Sequence, residues 1–70
     1  MNESLLARIT LNPKVCKGKQ TIRNMRFTVA KILELMAEGM DTKEILADYP
    51  YIEKEDIWAC LWYVSRIASI

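Results

Sequence analysis

Cys16 is followed by Lys17 and Lys19, and nearby cations favour a thiolate over a thiol. That is the best nucleophile the chain offers. A cysteine nucleophile normally works with a histidine base, and the chain has no histidine. Gly18-Lys19-Gln20-Thr21 is similar to the end of a phosphate-binding loop. However, Gln20 stands where a serine or threonine is needed, and Pro13 stands where the first glycine is needed. Cys16 and Cys60 are the only cysteines, with no Cys-x-x-Cys and no tight carboxylate cluster, so free thiols and no zinc site are expected. The sequence therefore predicts a protein that is not an enzyme, with no catalytic residue, metal, cofactor or small-molecule substrate.

Charge carries more information. Residues 1–33 hold Arg8, Lys14, Lys17, Lys19, Arg23, Arg26 and Lys31 against Glu3, a net +6. Residues 34–70 hold Lys43, Lys54 and Arg66 against eight acids, a net −5. From Arg8 to Lys31 there is no acid. A basic face of this kind fits a polyanionic partner. The candidate nucleic-acid contacts are Arg8, Lys17, Lys19, Arg23 and Arg26. The other reading is a solvated basic loop, or one that pairs with the acidic half of a neighbouring subunit.

These residues must be positioned by one small domain, because 70 residues and 8.1 kDa leave room for no more. The chain is 51% apolar and 27% charged, a globular balance. No apolar run approaches the roughly 20 residues of a membrane span. Met1-Asn2-Glu3-Ser4 does not read as a secretion signal, so a cytoplasmic address and no membrane contact are expected. Residues 1–27 read as a basic β arm: a short lead over 1–7, a strand over 8–11, a loop around Gly18 and a second strand over 22–27. Residues 28–70 read as three helices. The first, 28–38, is capped by Thr28, closed by Gly39, and buries Val29, Ile32, Leu33 and Met36. The second, 42–48, starts from a capping-box variant at Asp41 and Glu44 and stops before Pro50. The third, 53–68, has acids in its first turn and a core stripe of Ile57, Cys60, Leu61, Val64 and Ala68. The fold class expected is α+β, mostly α: a short N-terminal β arm, then a three-helix helix-turn-helix domain.

Trp58 and Trp62 make a second stripe beside that core stripe. A chain this short buries only about 60% of its unfolded surface and has difficulty covering so much apolar area. Trp58, Trp62, Tyr63 and Ile67 are therefore candidate protein-interface residues, and a homodimer is expected. Core filling is the competing reading of the same residues.

The string Ile9-x-x-Asn12-Pro13-x-Val15-Cys16-x-Gly18-Lys19-x-x-Ile22-Arg23-x-x-Arg26 resembles the N-terminal signature of the small bacterial family called domain of unknown function 433. The likeness continues through Val29-x-x-Ile32-Leu33, Gly39, Glu44-Ile45-Leu46-x-x-Tyr49-Pro50 and Asp56-Ile57-x-Ala59-x-Leu61-x-Tyr63. It spans roughly residues 8–64. The departures are Gln20, Asn24 and Met25 at positions usually proline, glycine and threonine, and Glu53 in place of a serine or threonine cap. The resemblance implies a homeodomain-like helix-turn-helix behind a β arm, and an antitoxin-like protein associated with a PIN-type toxin. The expected function is a DNA-binding, transcription-regulatory antitoxin of a toxin-antitoxin system. The alternative is an interaction module that neutralises such a toxin without binding DNA. The third helix opens Glu53-Lys54-Glu55-Asp56, which phosphates repel. The arm and its loop are therefore the expected DNA reader, not that helix.

Overall fold

The computed structural model describes residues 3–68, so the first two residues of the expected lead lie outside the described residues. The chain runs α1 (Glu3–Leu6), β1 (Ile9–Leu11), a 3-10 turn (Cys16–Gly18), β2 (Gln20–Ile22), α2 (Val29–Ala37), α3 (Thr42–Asp48) and α4 (Lys54–Ala68). The fold is α+β and mostly α. Its two-stranded antiparallel sheet pairs Ile9 with Ile22, Thr10 with Thr21 and Leu11 with Gln20. Most of the expected lead is α1, which packs against α4.

The second strand differs from expectation. It covers 20–22, and the alternating stretch 22–27 is a hairpin instead. Arg23 and Asn24 both have positive φ, 48° and 59°. The Met25 amide donates to the Ile22 carbonyl at 2.8 Å. Two left-handed central residues are what a primed hairpin turn needs, and asparagine tolerates that region better than most residues. The chain then returns along β2: the Ile22 amide donates to the Phe27 carbonyl at 3.0 Å, and Thr21 bridges to Thr28. Thr21, fully buried, meets the Thr10 hydroxyl at 3.0 Å on its other side.

The helix ends follow local chemistry. Thr28 caps α2 by accepting from the Lys31 amide at 3.0 Å. Beyond α2 the Met40 amide reaches the Leu35 carbonyl and the Gly39 amide reaches the Met36 carbonyl, a Schellman closure with Gly39 at φ +100°. A methyl group at Gly39 would meet nothing within 4 Å, so only backbone strain opposes it. Gly39→Ala is therefore expected to cost about 1–2 kcal/mol in urea unfolding, the left-handed penalty, and Gly39→Asn less. Asp41 and Glu44 form a full capping box on α3, with N–H to carboxylate distances of 2.9 and 3.0 Å.

Ile22, Ile32, Ile45, Ile57 and Cys60 lie at the centre of the core, fully buried, with Phe27, Val29, Leu35 and Ile52 around them. Two parts of the expected core change. On α2, Leu35 is buried and Leu33 and Met36 are only partly so. On α4, Leu61 and Ala68 are exposed and Val64 is half-buried, while Asp56 and Ala59 are fully buried. The cause is Asp56. With that acid turned inward the core face of α4 is rotated, which the apolar pattern alone does not reveal.

Candidate functional site

Two of the five expected nucleic-acid contacts have an internal role. Arg23 grips Asp56 with both ends of its guanidinium, Nη2 to Oδ2 at 2.7 Å and Nε to Oδ1 at 3.1 Å. Its Nη2 also donates to the Tyr51 carbonyl at 3.0 Å. Arg8 Nη1 donates to Asp56 Oδ1 at 2.9 Å and to Glu53 Oε1 at 2.7 Å. The Glu53 amide completes the set by donating to Asp56 Oδ2 at 2.9 Å. That last bond is the returning half of a capping box, which offsets the missing serine or threonine at Glu53.

Asp56 is thus a fully buried carboxylate with four donors. Burial alone would push its pKa up. The bonds from Arg23, the Glu53 amide and Arg8 outweigh burial and hold it below the ordinary carboxylate value. Hydrogen bonding raises both arginines in turn, Arg8 through Glu53 and then Asp56, Arg23 through Asp56. Part of the charge asymmetry is therefore satisfied within the chain: the basic arm is clasped to the acidic start of α4.

The other three candidates, Lys17, Lys19 and Arg26, are exposed. Among the described residues neither they nor Lys31 make an ion pair. Lys17 and Lys19 belong to the loop, where Cys16, Lys17 and Gly18 are successively left-handed. Arg26 stands elsewhere, at the mouth of an open groove of about 380 Å³ lined by Arg26, Phe27, Thr28, Lys31, Tyr49 and Tyr51. The three rings pack edge to face, Phe27 against Tyr49 at 5.0 Å and against Tyr51 at 6.2 Å. Tyr51 is 53% exposed. No acid lines the groove, which opens at the positive end of α2. Two cations, an exposed phenol and a helix start suit an anion that carries a flat ring. Sequence reasoning missed Lys31, Tyr49 and Tyr51. The signal available was Tyr49-Pro50-Tyr51, two aromatics on either side of a helix stop.

The interface candidates do not form one patch. Trp58 and Ile67 are both exposed but nine residues apart, about half a turn around the helix, so they face opposite ways. Tyr63 is half-buried against the core. Trp58 and the half-buried Trp62 share a side with exposed Leu61. Cys16 is half-buried, and burial pushes the Cys60 thiol up to about 12, which leaves it unreactive at neutral pH.

Fold and site together define a small, mostly helical α+β domain whose basic arm is ion-paired to its last helix. The chain belongs to the DUF433 family: the family model, described as a protein of unknown function, matches residues 9–64. It is similar to the crystal structure of a DUF433 member protein from Anabaena variabilis ATCC 29413, at 34% identity and a TM-score of 0.80. The match covers 91% of this chain and 63% of that one, so this chain spans less than two thirds of that protein's length. No curated protein gives a significant match. No helix among the described residues is long and apolar enough to cross a membrane.

Proposed function

We propose that this chain binds nucleic acid through the groove at the start of α2 and serves as an antitoxin-like regulator of transcription. The observation that supports this is the pairing of Arg26 and Lys31 with exposed Tyr51 in a groove without acids, after Arg8 and Arg23 have been drawn into the fold. Arg26 and Lys31 neutralise phosphates, exposed Tyr51 adds a hydroxyl that can donate to a phosphate oxygen, and Lys17 and Lys19 add affinity from the loop. The acidic opening of α4 takes no part.

The test is fluorescence anisotropy with duplex DNA from the protein's own upstream region and with scrambled DNA, at two salt concentrations. Binding at least tenfold tighter to the upstream sequence is expected. Arg26→Ala with Lys31→Ala should weaken it and lower the salt slope by about two units, one per phosphate contact. Both residues are exposed, so the variant keeps its fold. Equal, weak binding to both duplexes rejects the reading. A salt slope unchanged in the double variant rejects the groove.

A second reading is an interaction module that covers a PIN-like toxin. It is favoured by the exposed acids Glu34, Glu38, Asp41, Glu44 and Asp48 on and between α2 and α3, which fit a basic partner. In that case the same double variant keeps its partner and the wild type ignores DNA.

A further inference from the structure

We infer that the groove beside α2 also takes a small ligand, a phosphomonoester on a ring-bearing body, of the nucleoside monophosphate class. This rests on the reading of the groove as a nucleic-acid site, and it adds a regulator: ligand and DNA exclude one another. The groove holds about 380 Å³, near the small end of ligand pockets, which run from about 300 to 1,000 Å³. A duplex has to lie across so small a space, whereas a mononucleotide enters it.

Charge selects the anion. Arg26 and Lys31 are exposed cations with no ion pair among the described residues, and no acid lines the groove. One phosphomonoester matches both, because it carries about 1.5 to 2 negative charges at pH 7. A phosphodiester or a carboxylate brings one and leaves a cation over. Arg8 and Arg23, by contrast, already meet a carboxylate within the chain. The ring cluster selects the body. Phe27, Tyr49 and Tyr51 form a triangle with centroids 5.0, 6.2 and 6.5 Å apart and ring planes 73–84° to one another. The Tyr51 backbone is held as well, since its carbonyl accepts from Arg23 at 3.0 Å and the Ile52 amide donates to the Tyr49 carbonyl at 2.9 Å. A wall fixed at both ring and backbone loses little freedom when a ligand settles against it. Inorganic phosphate would leave that wall unused.

The experiment titrates the full chain with adenosine monophosphate and follows amide NMR shifts. Cyclic adenosine monophosphate, adenosine and inorganic phosphate are the separate arms. Adenosine monophosphate should bind tightest and move the amides of residues 26–31 and of Tyr51. The cyclic form, a diester with one charge, should bind about tenfold weaker, and adenosine weaker still. Arg26→Ala with Lys31→Ala should weaken the monophosphate at least about tenfold. Tyr51→Phe should keep the preference for the monophosphate over inorganic phosphate, and Tyr51→Ala should lose it. No shift in the groove, or equal binding of monophosphate and adenosine, overturns the inference. Inorganic phosphate that binds as tightly as the monophosphate also overturns it, since the rings would then contribute nothing. In the anisotropy assay, saturating monophosphate should release the upstream duplex. A duplex that binds but is not displaced overturns the inference and leaves the DNA reading standing. A protein that takes the monophosphate and ignores DNA keeps the ligand site and rejects the DNA reading.

Discussion

Arg23→Ala is expected to lower stability by about 2–3 kcal/mol. Removing one partner of a buried ion pair typically costs about 3–5 kcal/mol, because the other charge is left buried. The figure here is lower because the Arg23 side chain is 36% exposed, so water can enter in its place, and Arg8 stays on the carboxylate. The loss extends beyond the pair. The Arg23 guanidinium also holds the Tyr51 carbonyl at 3.0 Å, so it ties the arm to the segment before α4 as well as to α4 itself. Acid gives a second readout. The native pKa of Asp56 is lowered, so its contribution is complete above the unfolded value of 3.8 and is lost as pH falls through the native one. Without Arg23 the native pKa moves back toward the unfolded value, and that part of the pH dependence flattens. Urea midpoints measured from pH 7 down to pH 2 should therefore converge for wild type and variant at the acid end. If the difference between them stays constant with pH, the clasp is not what stabilises the arm. Arg23→Ala is also unsuitable for testing DNA contacts, since any loss of binding would include loss of structure.

The legible parts of this fold were those written in short-range chemistry. Thr28, Gly39 and the Asp41–Glu44 box each fix a helix end through bonds made within five residues, and each was read correctly from sequence. The arm was legible as far as β1. Beyond it, the alternation of 22–27 has the period of a strand, and only the left-handed tolerance of Asn24 hinted at a turn. Asp56 was hidden for a different reason. An acid in the first turn of a helix is ordinarily explained by the helix dipole, and nothing nearby in sequence identifies the arginines 33 and 48 residues away that let it be buried. The same hidden contact reassigned Arg8 and Arg23. A charge count along the chain shows an excess of one sign. It does not show which charges the fold will neutralise. The groove required both halves of the chain, Arg26 from the arm and Tyr51 from beyond α3, so no local pattern announced it.

Phe27→Ala should have the largest effect of any single truncation tied to the groove, about 3–5 kcal/mol, the usual range for removing a buried phenylalanine. Phe27 is 5% exposed and joins the core to the groove wall, since Tyr49 and Tyr51 both rest on its ring. Its backbone is spared, because the carbonyl that accepts from Ile22 remains. The more informative variant is Phe27→Leu. It keeps much of the apolar volume and should cost less than about 1.5 kcal/mol, yet it removes the ring edge against which both tyrosines pack. A folded Phe27→Leu protein whose DNA affinity falls would show that Tyr51 must be held in place to work. A double-mutant cycle with Tyr49→Leu measures the ring contact itself, and a coupling of about 0.5–1.5 kcal/mol is expected for an edge-to-face pair. Additive losses would mean that the rings merely fill space. The groove would then be a by-product of packing, and the exposed loop lysines, Lys17 and Lys19, would have to carry any nucleic-acid contact.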